Sequence, residues 1–347
     1  MKKYILILIT LIPLLLMSCN PDGIGIFYKI SVEPHLSNSA LSEKSVYKVV
    51  ELAGTKYVLA SGTVYKKNGS DWDAIKTPSG EIQAVSLEQL GAALYCVYAD
   101  NNNSSLYSGD GSSWTIDSNF TNVSGGLSLV SSGINIFVTE HISDTLYKIH
   151  NLAHSANIDV SNFVRGAAND GAGVDYIIAS AEINGYSAPE IVSFNGAFST
   201  VAVTTGDLAT AITDKTALGG ILGDGTDIYI TTKSGYLLSG LDTSVTTAIN
   251  TVNTSALSNK KLGDMEIVTI GASLYLLIAS NGGFYEMALP GGTPVSPTSA
   301  TIGSTVYESV DLYTELVHSI FSDAANEFYI GSSNGLWYSD TTELTIK

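Results

Sequence analysis

A strand built around one aromatic residue recurs seven times along the chain. The aromatic positions lie 38 to 54 residues apart and are Tyr57, Tyr95, Phe137, Tyr176, Tyr229, Tyr275 and Tyr329. Most are followed by aliphatic or β-branched residues and then by Ser, Asn or Gly, which is typical of strands joined by hairpins. This period constrains the fold more than any other feature, because such a unit must bury its apolar face against its neighbours.

Glycine-containing turns divide each unit into further strands. A tight turn follows the aromatic strand at Ser61-Gly62, Ser234-Gly235, Asn281-Gly282 and Asn334-Gly335. A second set of turns comes after the third strand, at Asn68-Gly69, Asp110-Gly111 and Asn195-Gly196. Two-residue hairpin turns need positive φ, which glycine adopts without strain. The pattern therefore predicts four short antiparallel strands per unit.

Four strands in about 40–50 residues match the blade of a β-propeller. We therefore predict an all-β fold, a seven-bladed β-propeller of four-stranded antiparallel blades, in one domain over residues 24–347. An eight-bladed ring stays open if the long spacings at 176–229 or 275–329 hide another blade, and so does a large sandwich. Ile24–Glu33 is expected to join the last blade and remove its free edge. One short helical pattern lies near Asp207–Thr213.

The repeats resemble those of a broad superfamily of bacterial propellers with Asp-box, kelch-like or quinoprotein-like repeats. The resemblance spans roughly residues 24–347 and concerns architecture only. Tyr107–Trp114 is similar to an Asp-box with altered spacing, and no unit carries a complete family signature. The resemblance implies the fold and does not select an activity.

The N-terminus reads as an export signal. Lys2 and Lys3 precede an apolar run from Tyr4 to Met17, which is short for a permanent membrane span. Leu16-Met17-Ser18-Cys19 resembles the bacterial lipobox, although Met17 stands where that family usually has a small residue. The resemblance implies a lipoprotein signal peptide at 1–18, acylation of Cys19 and a lipidated tether at 19–23. The expected location is the bacterial cell envelope, periplasmic or surface-exposed, with the acyl chains holding the protein to a membrane.

Composition excludes several classes of protein. The chain carries 16 Lys and Arg against 33 Asp and Glu, and Arg165 is its single arginine. A nucleic-acid partner is not expected, because a basic stripe is missing. Two cysteines cannot form a disulfide framework or a Cys-rich metal site. Neither a catalytic motif nor a cofactor motif is evident, so we predict no cofactor.

Acidic turns and long loops are the candidate sites. Carboxylates near glycine in two turns could bind calcium, although hairpin geometry alone explains them; they are Asp170, Asp175, Asp224 and Asp227. The turn between the second and third strands is predicted to be extended in blades 2, 3 and 4, at Asp100–Ser105, His141–Thr145 and Glu182–Pro189. If the ring closes, these loops are neighbours on one face, where binding residues often lie. The candidate partner-binding residues are Asp100, Asn101, Asn102, Asn103, His141, Asp144, Glu182, Tyr186 and Glu190.

Two functions remain open at this point. The first is a membrane-anchored propeller that acts as a binding or assembly platform for a protein or carbohydrate partner. The second is a glycan-acting hydrolase or lyase that uses the central channel, which would need convergent acids with perturbed pKa values. We expect the first and predict that the protein is not an enzyme.

Overall fold

A computed structural model describes residues 41, 43–78, 83–241, 249–252, 257, 259–294, 301–302, 305–306, 312, 315–324, 327–339 and 344–346. Cys19 and the segment Ile24–Glu33 lie outside the described residues. Nearly all of the described elements are antiparallel strands. Among the described residues, no helix has the length and apolar character needed to cross a membrane.

The first four blades follow one another in chain order, with neighbouring strands paired antiparallel. Their strands are, in blade 1, β1 (Val46–Leu52), β2 (Thr55–Ala60), β3 (Thr63–Asn68) and β4 (Asp71–Ala74); in blade 2, β5 (Gln83–Leu90), β6 (Ala93–Ala99), β7 (Asn103–Gly109) and β8 (Trp114–Ile116), with β9 (Val123–Ser124) also paired to β7; in blade 3, β10 (Leu127–Ser131), β11 (Ile136–Ser143), β12 (Leu146–Asn151) and β13 (Asn157–Val160); and in blade 4, β14 (Val164–Asn169), β15 (Asp175–Ala179), β16 (Glu190–Phe194) and β17 (Phe198–Thr200).

The last three blades continue the same order after a short helix. The elements are helix α1 (Gly206–Thr213); in blade 5, β18 (Leu218–Gly223), β19 (Asp227–Thr232), β20 (Leu237–Leu241) and β21 (Asn250–Thr251); in blade 6, β22 (Leu262–Ile270), β23 (Ser273–Ser280) and β24 (Gly283–Leu289); a small hairpin of β25 (Thr301–Ile302) and β26 (Thr305–Val306); and in blade 7, β27 (Val317–Ala324), β28 (Glu327–Ser332), β29 (Gly335–Ser339) and β30 (Leu344–Ile346). The predicted seven-bladed, all-β propeller is confirmed. Among the described residues, the long spacings contain α1 and the small hairpin and no eighth blade.

Seven apolar clusters hold the ring together, and each lies between two successive blades. One of them joins the two ends of the chain, because Val58 and Trp72 of blade 1 pack with Tyr329 and Leu336 of blade 7. Polar contacts cross the same junction: Lys67 Nζ donates to the Tyr329 hydroxyl at 3.1 Å. There are as many inter-blade interfaces as there are blades, so packing within the described residues closes the ring.

The aromatic residue recurs because it lies in the second strand of each blade, between the first and third strands, where its side chain can pack against a neighbouring blade. Tyr57, Phe137, Tyr229 and Tyr329 are all buried in these inter-blade clusters. Burying a large aromatic side chain stabilises each interface by about 2–3 kcal/mol. The tight turn that follows depends on glycine, as at Gly62 with φ of 80°, where a Cβ would also lie 3.1 Å from the Gln83 Cβ.

Candidate functional site

Blade 4 has the long loop between its second and third strands that the sequence predicted. It runs over residues 180–189 between β15 and β16. Hydrogen bonds fasten it on both sides, since the Ala217 N–H donates to Asn184 Oδ1 at 2.7 Å and Asn162 Nδ2 donates to the Ala188 carbonyl at 2.9 Å. Glu190, at the start of β16, accepts a hydrogen bond from the Ser161 N–H at 2.7 Å. The loop is therefore held in one position between blade 3 and blade 5.

The other two predicted loops differ from expectation. In blade 2 the connection is only residues 100–102, because Asn103, Ser104 and Ser105 already belong to β7. The Asp100 carboxylate accepts the backbone N–H groups of Asn102 and Asn103, each at 2.7 Å, and these bonds lower its pKa. Asp100 therefore shapes the turn, in which Asp100, Asn101 and Asn102 are all exposed.

Blade 3 carries a lengthened hairpin where the sequence predicted an extended loop. Strand β11 runs on to Ser143, so that His141 is a strand residue and only Asp144 and Thr145 form the turn. The pairing of two longer strands satisfies the backbone groups that a loop would leave to water. His141 Nδ1 donates to the Gly125 carbonyl at 2.9 Å, while Asp144 is exposed.

An aromatic cluster, made of His141, Tyr147 and Phe163, connects blades 3 and 4 on this face. The His141 ring stacks on Tyr147 with centroids 4.9 Å apart, and Tyr147 contacts Phe163 at 4.6 Å. Beside the cluster, the blade 4 loop exposes 71% of Ile183 and 72% of Tyr186. We call the cluster together with Ile183 and Tyr186 the loop-face surface. Large apolar side chains grouped on a fixed loop are typical of a contact surface.

A group of cations adjoins the loop-face surface, where the central cavity opens. The Arg165 guanidinium lies over the Phe163 ring at 5.4 Å, and its Nη1 is 2.9 Å from Glu182 Oε2. Lys233 Nζ lies 3.7 Å from Glu182 Oε1. Burial and the positive charges of Arg165 and Lys261 lower the pKa of Lys233, although Glu182 acts in the opposite direction. We call Arg165, Lys233, Lys261 and Glu182 the basic mouth.

The cavity itself is a channel of about 1090 Å³ lined by the first strand of every blade. The channel also contains an acidic cluster made of Glu88, Asp264 and Glu266 around Lys48. Lys48 Nζ lies 2.8 Å from Glu88 Oε1, and the blade 7 backbone N–H of Ile320 donates to Asp264 at 3.3 Å. Although burial opposes it, the carboxylates of Glu88 and Asp264 raise the pKa of Lys48. Burial, assisted by Asp264, raises the pKa of Glu266 to about 7.

Two of the four acidic residues, Asp170 and Asp224, use their carboxylates within their own turns. Asp170 accepts the N–H groups of Ala172 and Val174 at 2.8 Å, and Asp224 accepts those of Thr226 and Asp227. Asp175 is fully buried and accepts from Asn135 Nδ2 at 2.7 Å. In the described part of the chain, no three His, Cys, Asp or Glu side chains are grouped so as to hold a metal ion. Asp170 and Asp224 shape their turns, as hairpin chemistry alone would require, whereas Asp175 and Asp227 begin β15 and β19.

The sequence reasoning missed the two charged groups at the channel. Arg165 was noted only as the single arginine, and Lys48, Glu88, Asp264 and Glu266 were not singled out. The sequence does contain a signal for them, since each of these five charged residues lies in the first strand of its blade. Charged residues inside otherwise apolar strands of a propeller belong where the strand lines the channel.

No family model matches the chain, and no curated protein matches it. Solved propeller structures do match. The extracellular domain of the one-component system BT4673 of B. thetaiotaomicron is 12% identical with a TM-score of 0.59, covering 87% of this chain and 39% of that one. PorZ, a surface component of the type-IX secretion system of Porphyromonas gingivalis, is 13% identical with a TM-score of 0.55, covering 89% and 39%. The chain thus spans about two fifths of the length of these two proteins.

A third similar structure is close to this chain in length. YCF48 of Cyanidioschyzon merolae is 12% identical with a TM-score of 0.53, and the alignment covers 86% of this chain and 95% of that one. A further structure shows YCF48 bound to D1 peptide, at 10% identity and a TM-score of 0.54. At these identities the similarity establishes the class, a β-propeller, and leaves function to the residues of this chain.

Proposed function

We propose that this protein is an exported, lipid-anchored propeller that serves as a binding or assembly platform in the bacterial cell envelope. One observation carries the proposal: Ile183 and Tyr186 are more than two-thirds exposed on a loop that hydrogen bonds fasten to both neighbouring blades. A rigid loop with exposed apolar residues loses little conformational entropy when a partner binds. That PorZ is a surface component and that YCF48 binds a peptide is compatible with such a role.

The anchor is tested separately from the platform. Acylation at Cys19 follows from the lipobox resemblance, and three acyl chains would hold the protein firmly, since each buried methylene adds about 0.8 kcal/mol. Fractionation of the producing bacterium should find the wild type in the membrane and Cys19→Ala in the soluble fraction. The control is Cys96→Ala, because the Cys96 thiol is buried in a strand of blade 2 and cannot carry a lipid. Equal membrane retention of both variants would contradict the anchor.

The platform is tested by crosslinking in intact cells. Wild type and Cys19→Ala should be compared with a double variant, Ile183→Ser with Tyr186→Ser, after formaldehyde treatment and purification. We expect a discrete partner with the wild type, a reduced yield with Cys19→Ala, which leaves the membrane, and none with the double variant. If the double variant captured the partner as well as the wild type does, the interaction would lie elsewhere on the protein.

The acidic cluster supports a second candidate, a glycan-acting hydrolase or lyase. Glu266, with its pKa near 7 beside Asp264, has the protonation behaviour of a general acid. However, Lys48 and backbone N–H groups of blade 7 already occupy these carboxylates. Turnover of envelope polysaccharides or peptidoglycan by the purified protein that is lost in Glu266→Gln would establish the enzyme. We expect no turnover by either protein.

A further inference from the structure

The basic mouth holds more positive than negative charge. Arg165 and Lys233 share a single carboxylate, Glu182, and the exposed Lys261 lies near enough to act on Lys233, so the group contains three cations and one anion. The whole chain has a net charge of −17, so a local excess of cations is contrary to its composition. Arg165 also has an unused hydrogen-bond donor. Its Nε donates to the Ser180 carbonyl at 2.9 Å, whereas its buried Nη2 has no hydrogen-bond partner in the described part of the protein.

Because the Arg165 and Lys233 side chains are mostly buried, their positive charge is energetically unfavourable unless an anion lies nearby. The side chains of Arg165 and Lys233 are only 18% and 17% exposed, whereas the Glu182 side chain is 54% exposed. Cations that are mostly removed from water are stabilised by a nearby anion far more than exposed ones. Arg165, Lys233 and Lys261 all line the central cavity, so an incoming anion can reach them from there.

We infer that the basic mouth binds a carboxylate of an acidic peptide segment whose apolar side chains contact the loop-face surface. The inference rests on the proposed platform function and specifies its ligand. The two parts of the site are continuous, because Arg165 lies over Phe163 and Glu182 directly precedes Ile183 in the loop. Arginine suits a carboxylate, since its planar fork can donate two parallel hydrogen bonds.

The shape of the loop-face surface favours a peptide over an acidic sugar. Sugars bind on open aromatic faces, but the face of Tyr147 is covered by His141, with the two ring planes 16° apart. What the surface exposes is Ile183 and Tyr186, at 71% and 72%, the neighbouring Ile142 at 44%, and Phe163 at 52%, whose ring lies under the Arg165 guanidinium. The two isoleucines have no ring face for a sugar and match the apolar side chains of a protein segment.

The test uses the full-length protein in detergent and short N-acetylated peptides rich in Leu and Phe. Each peptide is made in two forms, one with a free C-terminal carboxylate and Glu side chains, the other amidated and with Gln. We expect the acidic form to bind about tenfold tighter or more, the effect of one charged hydrogen bond. Arg165→Gln and Lys233→Gln should remove this preference, while the control Lys66→Gln, on β3 of blade 1, should retain it.

Glu182→Gln gives an independent check that does not depend on removing a buried cation. It deletes the internal competitor and leaves all three cations, so the acidic peptides should bind several-fold tighter. If Arg165→Gln misfolds, as its circular dichroism would show, this variant and Lys233→Gln decide the question. Unchanged or weaker binding by a folded Glu182→Gln protein would overturn the inference.

The remaining outcomes separate this inference from the platform itself. Equal binding of acidic and amidated peptides that is lost with Ile183→Ser and Tyr186→Ser would overturn the carboxylate site and leave the platform intact. Arg165-dependent binding of glucuronate or inorganic phosphate, without binding of any peptide, would overturn the peptide as the ligand. Binding of none of these probes would overturn the inference as a whole.

Discussion

The two charged groups of the channel differ in how completely the protein's own groups hydrogen-bond them. In the acidic cluster, Lys48 lies at 2.8 Å from Glu88, and backbone N–H groups of blade 7 donate to Asp264 and Glu266. In the basic mouth, Arg165 and Lys233 share the half-exposed Glu182, and one Arg165 nitrogen lacks a partner in the described structure. Charges with internal partners contribute to folding, whereas charges left without them are available to a ligand. The comparison therefore assigns stability to the first group and binding to the second.

The largest expected effect is the loss of the single cation in the acidic cluster. Lys48→Met leaves three carboxylates without their counter-charge, one of them the buried Glu88. Breaking a buried ion pair costs about 3–5 kcal/mol, and partial exposure of Lys48 to the channel reduces this to about 2–4 kcal/mol. Urea unfolding monitored by circular dichroism measures the change.

The matched control for Lys48→Met is a lysine of similar exposure, Lys148, whose partner carboxylate is exposed. Lys148 Nζ lies 3.8 Å from an oxygen of the exposed Asp159, so Lys148→Met should cost less than about 1 kcal/mol. If the two variants lost equal stability, the acidic cluster would have no special role in folding, and the contrast with the basic mouth would fail.

A smaller effect is expected from titration of the acidic cluster. Because the pKa of Glu266 is raised from 4.5 to about 7, the folded protein keeps a proton that the unfolded chain loses between these values. The free energy of unfolding should therefore fall as pH rises from 4.5 to 7, by about 1–2 kcal/mol after allowance for the water in the channel. Unfolding curves at a series of pH values should show this slope in the wild type.

Glu266→Gln should flatten that slope, because the amide does not titrate. The exposed carboxylate variant Asp159→Asn serves as the control and should leave the slope unchanged. Equal slopes in the wild type and in Glu266→Gln would contradict the assignment of Glu266 to a desolvated position.

The smallest effect on stability is expected at the loop-face surface. Ile183 and Tyr186 are exposed, so that replacing both by Ser should change the free energy of unfolding by less than about 0.5 kcal/mol at each position. Thermal unfolding checks this, and it also shows that loss of partner capture by the double variant is not a loss of fold. A drop in stability comparable to that of Lys48→Met would mean that the loop residues are structural.

The sequence predicted the blades better than the site, because the residues that form a hairpin are close in sequence and those that form the site are far apart. Tyr57 and Gly62 signal a strand and its turn within a few residues, because hairpins form from local pairing. The helix at Asp207–Thr213 was visible in the same way and begins one residue earlier, at Gly206. The blade 3 loop was predicted wrongly, since the polar residues His141 and Ser143 continue a strand and only pairing with Tyr147 and Leu146 reveals it.

The charged groups depend on closure of the ring. Lys48 and Asp264 lie more than two hundred positions apart in the sequence and meet only because blade 1 and blade 6 face the same channel. Likewise, Arg165, Lys233 and Lys261 come from three different blades or connections. A charge pattern along the chain cannot show which of these residues converge, whereas the closed ring brings all of them to one cavity.

The most direct test of the account is site-specific photocrosslinking in the living bacterium. A benzophenone amino acid replaces Tyr186 in the blade 4 loop or Asn195 in the turn between β16 and β17, an exposed position at the opposite end of the same blade. We predict a discrete adduct after irradiation when the probe is at position 186 and none when it is at 195. Adducts of equal yield at both positions, or an adduct at 195 alone, would contradict the claim that the loop face binds the partner.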